Sequence, residues 1–214
     1  MKRKPEKVLI LTSGGLDSVC LISKAILKKR EPVLIFFNYG QKNFKKELEA
    51  LKKFIKENKK KSKDIRITLI NRKINLGFTN SFMQGKSKNK KKEWVPLRNL
   101  LFLSLASSFG VNYKISEVWL GSTKEDSFPD NNFKFGNLFN KVLKYSSYDK
   151  IKLKQPFVNK NKYQMIKINS EFPLYHSWSC YKNFKKQCGK CRSCKERKAA
   201  FKKAGKIDRT EYLN

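Results

Sequence analysis

A chain of 214 residues with a formal net charge of +33 can bury a substantial core, and its length suggests one domain, or one plus an appendage. No apolar run nears the ~20 residues that cross a bilayer, and the basic start MKRKPEK leads only into VLIL, without the apolar core or cleavage site of a signal peptide; a cytoplasmic protein without a membrane partner is expected. The charge would suit a polyanion, but only 8 of the 50 basic residues are arginine and the lysines are spread along the chain, so nucleic acid is expected to bind at most nonspecifically.

VLILT (8–12) is short, continuous and apolar, as a buried strand is, and 16–29 follows at helical period. PVLIFFN (32–38) is a second strand and 45–61 a second helix, with acid-to-lysine pairs such as Glu49 and Lys53. DIRITLI (64–70) is a third strand. The stretch 71–93, rich in Asn, Gly, Ser and lysine, is expected to be a loop. A strongly apolar helix is predicted over 98–110, ending at Gly110, then a strand over 115–121, the loop EDSFPDNN, a helix near 134–147 and a strand over 151–157. Strands alternating with helices predict an α/β fold with a parallel sheet covered on both faces. Ligands of such sheets bind beyond the carboxyl ends of the strands. SGGLDS, NYGQK and GSTKEDSFPD all fall on that rim.

Ser13-Gly14-Gly15-Leu16-Asp17-Ser18 sits where a helix begins. Paired glycines let amides close around an anion, the helix start adds positive potential, and Ser13 and Ser18 can donate hydroxyls. The string matches neither G-x-x-x-x-G-K-[ST] nor G-x-G-x-x-G. Asp17 would repel a bare phosphate, so it is expected to cap the helix or to help hold a metal ion. A plain strand–turn–helix with a serine cap is the bland alternative.

Cys180, Cys188, Cys191 and Cys194 form C-x7-C-x2-C-x2-C. Four thiols in fifteen residues suit a structural tetrahedral zinc. A disulfide framework does not suit a cytoplasmic chain, and an iron–sulfur cluster is the rival. The C-G-K-C pair favours zinc, its glycine letting backbone amides face sulfur. Cys20 reads as a core residue. His176 is the one histidine, which removes mechanisms that need a histidine pair and suggests packing for His176 itself.

S-G-G-x-D-S after a first strand resembles the PP-loop ATP pyrophosphatases, which cleave ATP between the α and β phosphates. Within them the chain resembles the QueC family of 7-cyano-7-deazaguanine synthases. The likeness runs through SGGLDS (13–18), NYGQK (38–42), VPLRN (95–99), SFPDNN (127–132), SWSCY (177–181), CGKCRSCKERKAAF (188–201) and AGKIDRTEY (204–212). Two positions depart: Leu16 stands where many members carry glutamine, and Leu97 where glycine is common.

The resemblance implies a Rossmann-like PP-loop (adenine nucleotide alpha hydrolase-like) fold, with a catalytic domain over 1–170 and a zinc-binding region over 171–214. It implies that the carboxylate of 7-carboxy-7-deazaguanine is adenylated by ATP, that ammonia displaces AMP, and that a second activation dehydrates the amide to a nitrile. Thr12, Ser13, Gly14, Gly15, Leu16, Asp17 and Ser18 would hold ATP with Mg2+. Asp17, Arg98 and Lys162 would be catalytic. Tyr39, Gln41, Arg98, Asn99, Asp126 and Asp130 would bind the substrate, the two aspartates facing its guanine-like edge or a metal. Cys180, Cys188, Cys191 and Cys194 would hold zinc, and a homodimer is expected. Three rivals are a tRNA-modifying PP-loop enzyme, a zinc-bearing nucleic-acid binder on a decayed nucleotide fold, and a relative that passes the activated deazaguanine to an amine other than ammonia. All cysteines but Cys20 are consumed by the metal set, which argues against a sulfur carrier, and an intact SGGLDS argues against decay.

Overall fold

The computed structural model describes residues 5–61, 65–75 and 95–213. Its elements in chain order are β1 (Lys7–Thr12), α1 (Leu16–Leu27), β2 (Glu31–Asn38), α2 (Phe44–Lys61), β3 (Thr68–Lys73), α3 (Arg98–Asn112), β4 (Glu117–Trp119), α4 (Phe133–Ser146), β5 (Lys152–Lys154), α5 (Lys162–Ile168) and α6 (Arg192–Lys203), with a 3-10 turn at Leu174–His176 before α6. No described helix is long and apolar enough to cross a membrane. The five strands form one sheet in the order β3-β2-β1-β4-β5, and every pairing is parallel.

Strand alternation divides the core. Val8, Ile10, Leu34 and Phe36 point to the face covered by α1, α2, α5 and α6. Leu9, Leu11, Val33 and Ile35 point to the face covered by α3 and α4. Strands apolar on both sides belong in a sheet sandwiched by helices. Leu174, Ala200, Phe201 and Ala204 share a core with α1 and β1, so the packing runs across position 170 without a break.

Several element boundaries differ from the sequence expectation, and the strands expected over 115–121 and 151–157 shorten to Glu117–Trp119 and Lys152–Lys154. The third strand begins at Thr68 and continues to Lys73, because its register is set by pairing Val33–Asn38 with Thr68–Lys73 rather than by its own apolar run. Residues 71–73 are therefore strand, while 76–93 of the expected loop lie outside the described residues. The apolar helix does not stop at Gly110 but runs to Asn112. Gly110 is there for closeness: a Cβ on it would run into the side chain of Ile151 and lie 3.6 Å from Leu9 Cδ2. The short α5 and the helix α6 behind the cysteines add to the expected order.

The order of strands reverses on either side of β1, since β2 and β3 lie to one side and β4 and β5 to the other. The crevice beyond the carboxyl ends of β1 and β4 is the place where such sheets hold ligands. SGGLDS leaves β1 at this point.

Candidate active site

A cleft of about 280 Å³ opens there, lined from β1 and its loop by Thr12, Ser13, Gly15, Leu16, Asp17 and Ser18. The loop is a tight turn. Ser13 N donates to Ser18 Oγ at 2.9 Å, the two serine hydroxyls lie 3.2 Å apart, and Gly15 N donates to Ser13 Oγ at 3.3 Å. Gly14 has φ +72, and a Cβ on it would collide with the backbone carbonyl of Glu47. Positive φ and close approach together demand glycine. Gly15 is the N-cap of α1, with no side chain capping it, so the cap role expected for Asp17 is not met. The helix start faces the cleft with its first amides. Leu16 turns into the core, 4% exposed.

Asp17 Oδ1 is buried without a hydrogen-bond partner. Burial raises its carboxyl above the ordinary range, opposed by the charge of Lys162. Lys162 opens α5 and in turn is held above the usual lysine range chiefly by Asp17. Its Nζ lies 3.5 Å from Glu196 Oε2, and its backbone N donates to Glu125 Oε2 at 2.8 Å. Asp126 completes the cluster: its Oδ2 accepts from Thr123 N at 2.6 Å. Burial, with Asp17 adding, pushes its carboxyl up to about 6. A second cavity of about 410 Å³ adjoins on the far side and shares Asp17, Asp126 and Lys162 with the first. The two cavities also share Phe128, Tyr181 and Ser193, so they meet at six residues.

The other end of the cleft is built from β2 and α3. Arg98 starts α3 and donates through Nη1 to Tyr39 Oη at 3.2 Å. Gln41 Oε1 accepts from Tyr39 N at 3.0 Å, and its Nε2 donates to Phe37 O at 3.1 Å and to Glu47 Oε2 at 3.2 Å. Phe37, Phe102, Asn99 and Glu47 also line this end. Burial pushes the Glu47 carboxyl up to about 7. Asp130 stands apart from the other expected substrate residues. It is not among the residues lining the cleft; its Oδ2 accepts from Asn99 N at 3.0 Å and its carbonyl from Asn99 Nδ2 at 3.1 Å, so it satisfies the start of α3.

The roof comes from the C-terminal residues. Trp178 N donates to Gly14 O at 2.9 Å, and Asn43 Nδ2 donates to Cys180 O at 2.7 Å. The segment that carries the first cysteine is therefore bonded directly to the glycine loop. The four Sγ atoms of Cys180, Cys188, Cys191 and Cys194 lie within 4.8 Å of one another. A tetrahedral ion with metal–sulfur bonds near 2.3 Å would place sulfurs about 3.8 Å apart, so the set fits such an ion after slight contraction. Lys182 N and Cys188 N donate to Cys180 Sγ at 3.2 and 3.3 Å, and Cys191 N to Cys188 Sγ at 3.3 Å. Gly189 at φ +68 makes that turn.

Arg197 of α6 also reaches the cleft and is 1% exposed. It forks onto Asp208, Nε to Oδ2 at 3.0 Å and Nη2 to Oδ1 at 3.1 Å. Its Nη1 donates to Ser177 Oγ at 2.5 Å and its Nη2 to Leu174 O at 3.0 Å. His176 packs at the periphery, Nε2 to Glu57 Oε2 at 2.6 Å, and Cys20 is fully buried in the core. Glu47 and Arg197 went unmarked in the sequence. Arg197 sits inside the quoted cysteine string; Glu47 looks like any acid on a helix surface until β2 and α3 close around it.

The family described as "Queuosine biosynthesis protein QueC" matches residues 7–205. A protein named 7-cyano-7-deazaguanine synthase from Methanocaldococcus jannaschii is 34% identical over 238 residues, covering 97% of this chain and 99% of its own. Another of that name from Methanobrevibacter smithii is 33% identical over 97% of this chain and 98% of its own length. A third, from Saccharolobus solfataricus, is 34% identical over 99% of this chain, which spans 48% of that longer protein. The match covers the glycine loop, both ends of the cleft and the cysteine set, and the chain belongs to the QueC family.

Proposed function

We propose that the chain is a 7-cyano-7-deazaguanine synthase acting in queuosine biosynthesis, converting 7-carboxy-7-deazaguanine and ammonia to the nitrile with ATP. The observation that carries this reading is the end-to-end likeness, 97% of this chain against 99% of a relative bearing that name.

A carboxylate is a poor electrophile and must exchange an oxygen for a better leaving group. The loop Thr12–Ser18 holds the β and γ phosphates through its amides and hydroxyls at the start of α1, and Lys162 neutralises charge as pyrophosphate departs. Asp17, with a buried oxygen lacking a protein partner, would hold Mg2+ together with the phosphates. That ion supplies Lewis-acid charge neutralisation when bound. Arg98 offers a planar fork to the substrate carboxylate or the α-phosphate. The carboxylate oxygen attacks the α-phosphorus, pyrophosphate leaves, and ammonia displaces AMP from the acyl carbon with loss of a proton. A second ATP then adenylates the amide oxygen with release of pyrophosphate, and loss of AMP together with both nitrogen protons leaves the nitrile. Tyr39, Gln41 and Asn99 shape the end of the cleft away from the loop, and Asp126 stands beside Lys162. Asp130 acts through Asn99.

The cysteines would hold structural zinc, which has no redox chemistry and holds the roof on the loop. The protein acts in the cytoplasm as a homodimer. The dimer reading rests on two apolar stripes at helical spacing: Leu97, Leu101 and Leu105 around α3 are 64%, 37% and 41% exposed, and Leu138, Val142 and Tyr145 of α4 are 53%, 56% and 83% exposed. Stripes of this kind mark an interface, and a second copy would bury both.

Incubation with ATP, ammonium and 7-carboxy-7-deazaguanine, followed by mass spectrometry, tests the reading. Appearance of the amide and then the nitrile is expected. ATP consumption with neither product would overturn it.

A further inference from the structure

Three carboxylates line the cleft: Asp17, Glu47 and Asp126. Two are committed at one end. Asp17 faces Lys162, and Asp126 is bonded to Thr123 and feels both Asp17 and Lys162. Glu47 is alone at the other end, among Phe37, Tyr39, Phe102 and Arg98. Among the described residues its hydrogen-bond partner is Gln41, and no cation closes on it within ion-pair distance. One neutral hydrogen bond and the charge of Arg98 do not offset the desolvation of that carboxylate, and burial raises its carboxyl to about 7. A site that keeps this cost gains from it when a ligand arrives with donors.

We propose that Glu47 reads the N1–H and 2-amino edge of the deazaguanine, making it the residue that selects a 2-aminated heterocycle. A carboxylate offers two in-plane acceptors side by side, and that edge offers two in-plane N–H donors at matching spacing. Gln41 holds the carboxylate in orientation, because its amide is already engaged by Tyr39 N, Phe37 O and Glu47 Oε2. The aromatic rings of Phe37 and Phe102, 4.8 Å between centroids, give the heterocycle an apolar wall. The Glu47 backbone abuts Gly14, so a substrate held by its side chain lies beside the loop where its carboxylate must react. Asp130, the alternative reader, does not line the cleft. The assignment rests on the functional reading above.

The test is calorimetric binding, with a non-cleavable α,β-methylene ATP analogue present, of 7-carboxy-7-deazaguanine and of its analogue lacking the 2-amino group. The wild-type chain should prefer the aminated compound on the order of 100-fold, since the analogue leaves a buried acceptor unpaired. Glu47→Gln should reduce that ratio to within about fivefold, with the affinity for the ATP analogue unchanged. A retained ratio in the variant, or a loss that falls on the nucleotide instead, would overturn the assignment. A wild-type ratio near one would overturn it without any variant. Wild-type protein that binds the ATP analogue but neither heterocycle would overturn the functional reading and the assignment with it.

Discussion

Leu97 shows how much one residue can reveal. It precedes α3 with φ 57 and ψ 10, a left-handed conformation that costs an L-residue with a bulky side chain roughly 1–2 kcal/mol. The sequence showed only a leucine where glycine is common in similar chains. The structure supplies the reason for that glycine and the strain of its loss. Leu97→Gly should stabilise the protein by about 1 kcal/mol, after the entropy glycine adds to the unfolded chain, and thermal or urea unfolding would measure it. No change would mean that apolar contact at Leu97 offsets the strain. Glu47 carries the opposite kind of cost. Its carboxyl is raised to about 7, so the folded state binds more protons than the unfolded one between the ordinary glutamate range and pH 7. Stability from this group is therefore full at low pH and falls as pH rises through that window. Glu47→Gln should raise the melting temperature more at pH 8 than at pH 5. An equal rise at both would show that the Glu47 carboxylate is fully compensated in the free protein.

Between elements, the decisive join is that of the cysteine segment with the glycine loop. Trp178 N bonds Gly14 O and Asn43 bonds Cys180 O, so the cysteine-bearing segment and the glycine loop hold each other in place. Removing the metal with a chelator, or making Cys191→Ala, should weaken nucleotide binding at least tenfold before the sheet unfolds; fluorescence titration with ATP beside far-UV dichroism would separate the two effects. Loss of helix signal in step with loss of binding would contradict a local linkage. Arg197 secures the same roof from below. Its guanidinium is fully enclosed and paired to Asp208, and breaking such a pair typically costs 3–5 kcal/mol. Arg197→Ala should lose about that much by denaturant unfolding. Much of this layout was legible beforehand, because continuous apolar strands and SGGLDS are local signals. The rest was not. Gly110 looked like a helix end because sequence does not show Ile151 packed against it, β3 took its register from β2, and Glu47 gained its character only from neighbours 6 and 51 residues away, Gln41 and Arg98.

At the scale of the molecule, the charge and the apolar face make separate claims. A net charge of +33 carried mostly by lysine should give tRNA binding that is weak and collapses with salt in proportion to the phosphates contacted. Nanomolar, salt-tolerant and tRNA-selective binding would instead favour a tRNA-modifying enzyme. The paired stripes of α3 and α4 should close a dimer, and Val142→Asp should halve the mass seen by light scattering; an unchanged mass would place the interface elsewhere.

In the proposed reaction SGGLDS grips the outer two phosphates of ATP as a departing unit while a substrate carboxylate attacks the α-phosphorus. The most direct measurement is the fate of oxygen-18 placed in the carboxylate of 7-carboxy-7-deazaguanine, followed by mass spectrometry of the nucleotide products. AMP and pyrophosphate are expected, formed only when substrate is present, with the label in AMP. Release of ADP and phosphate, or AMP free of label, would contradict it.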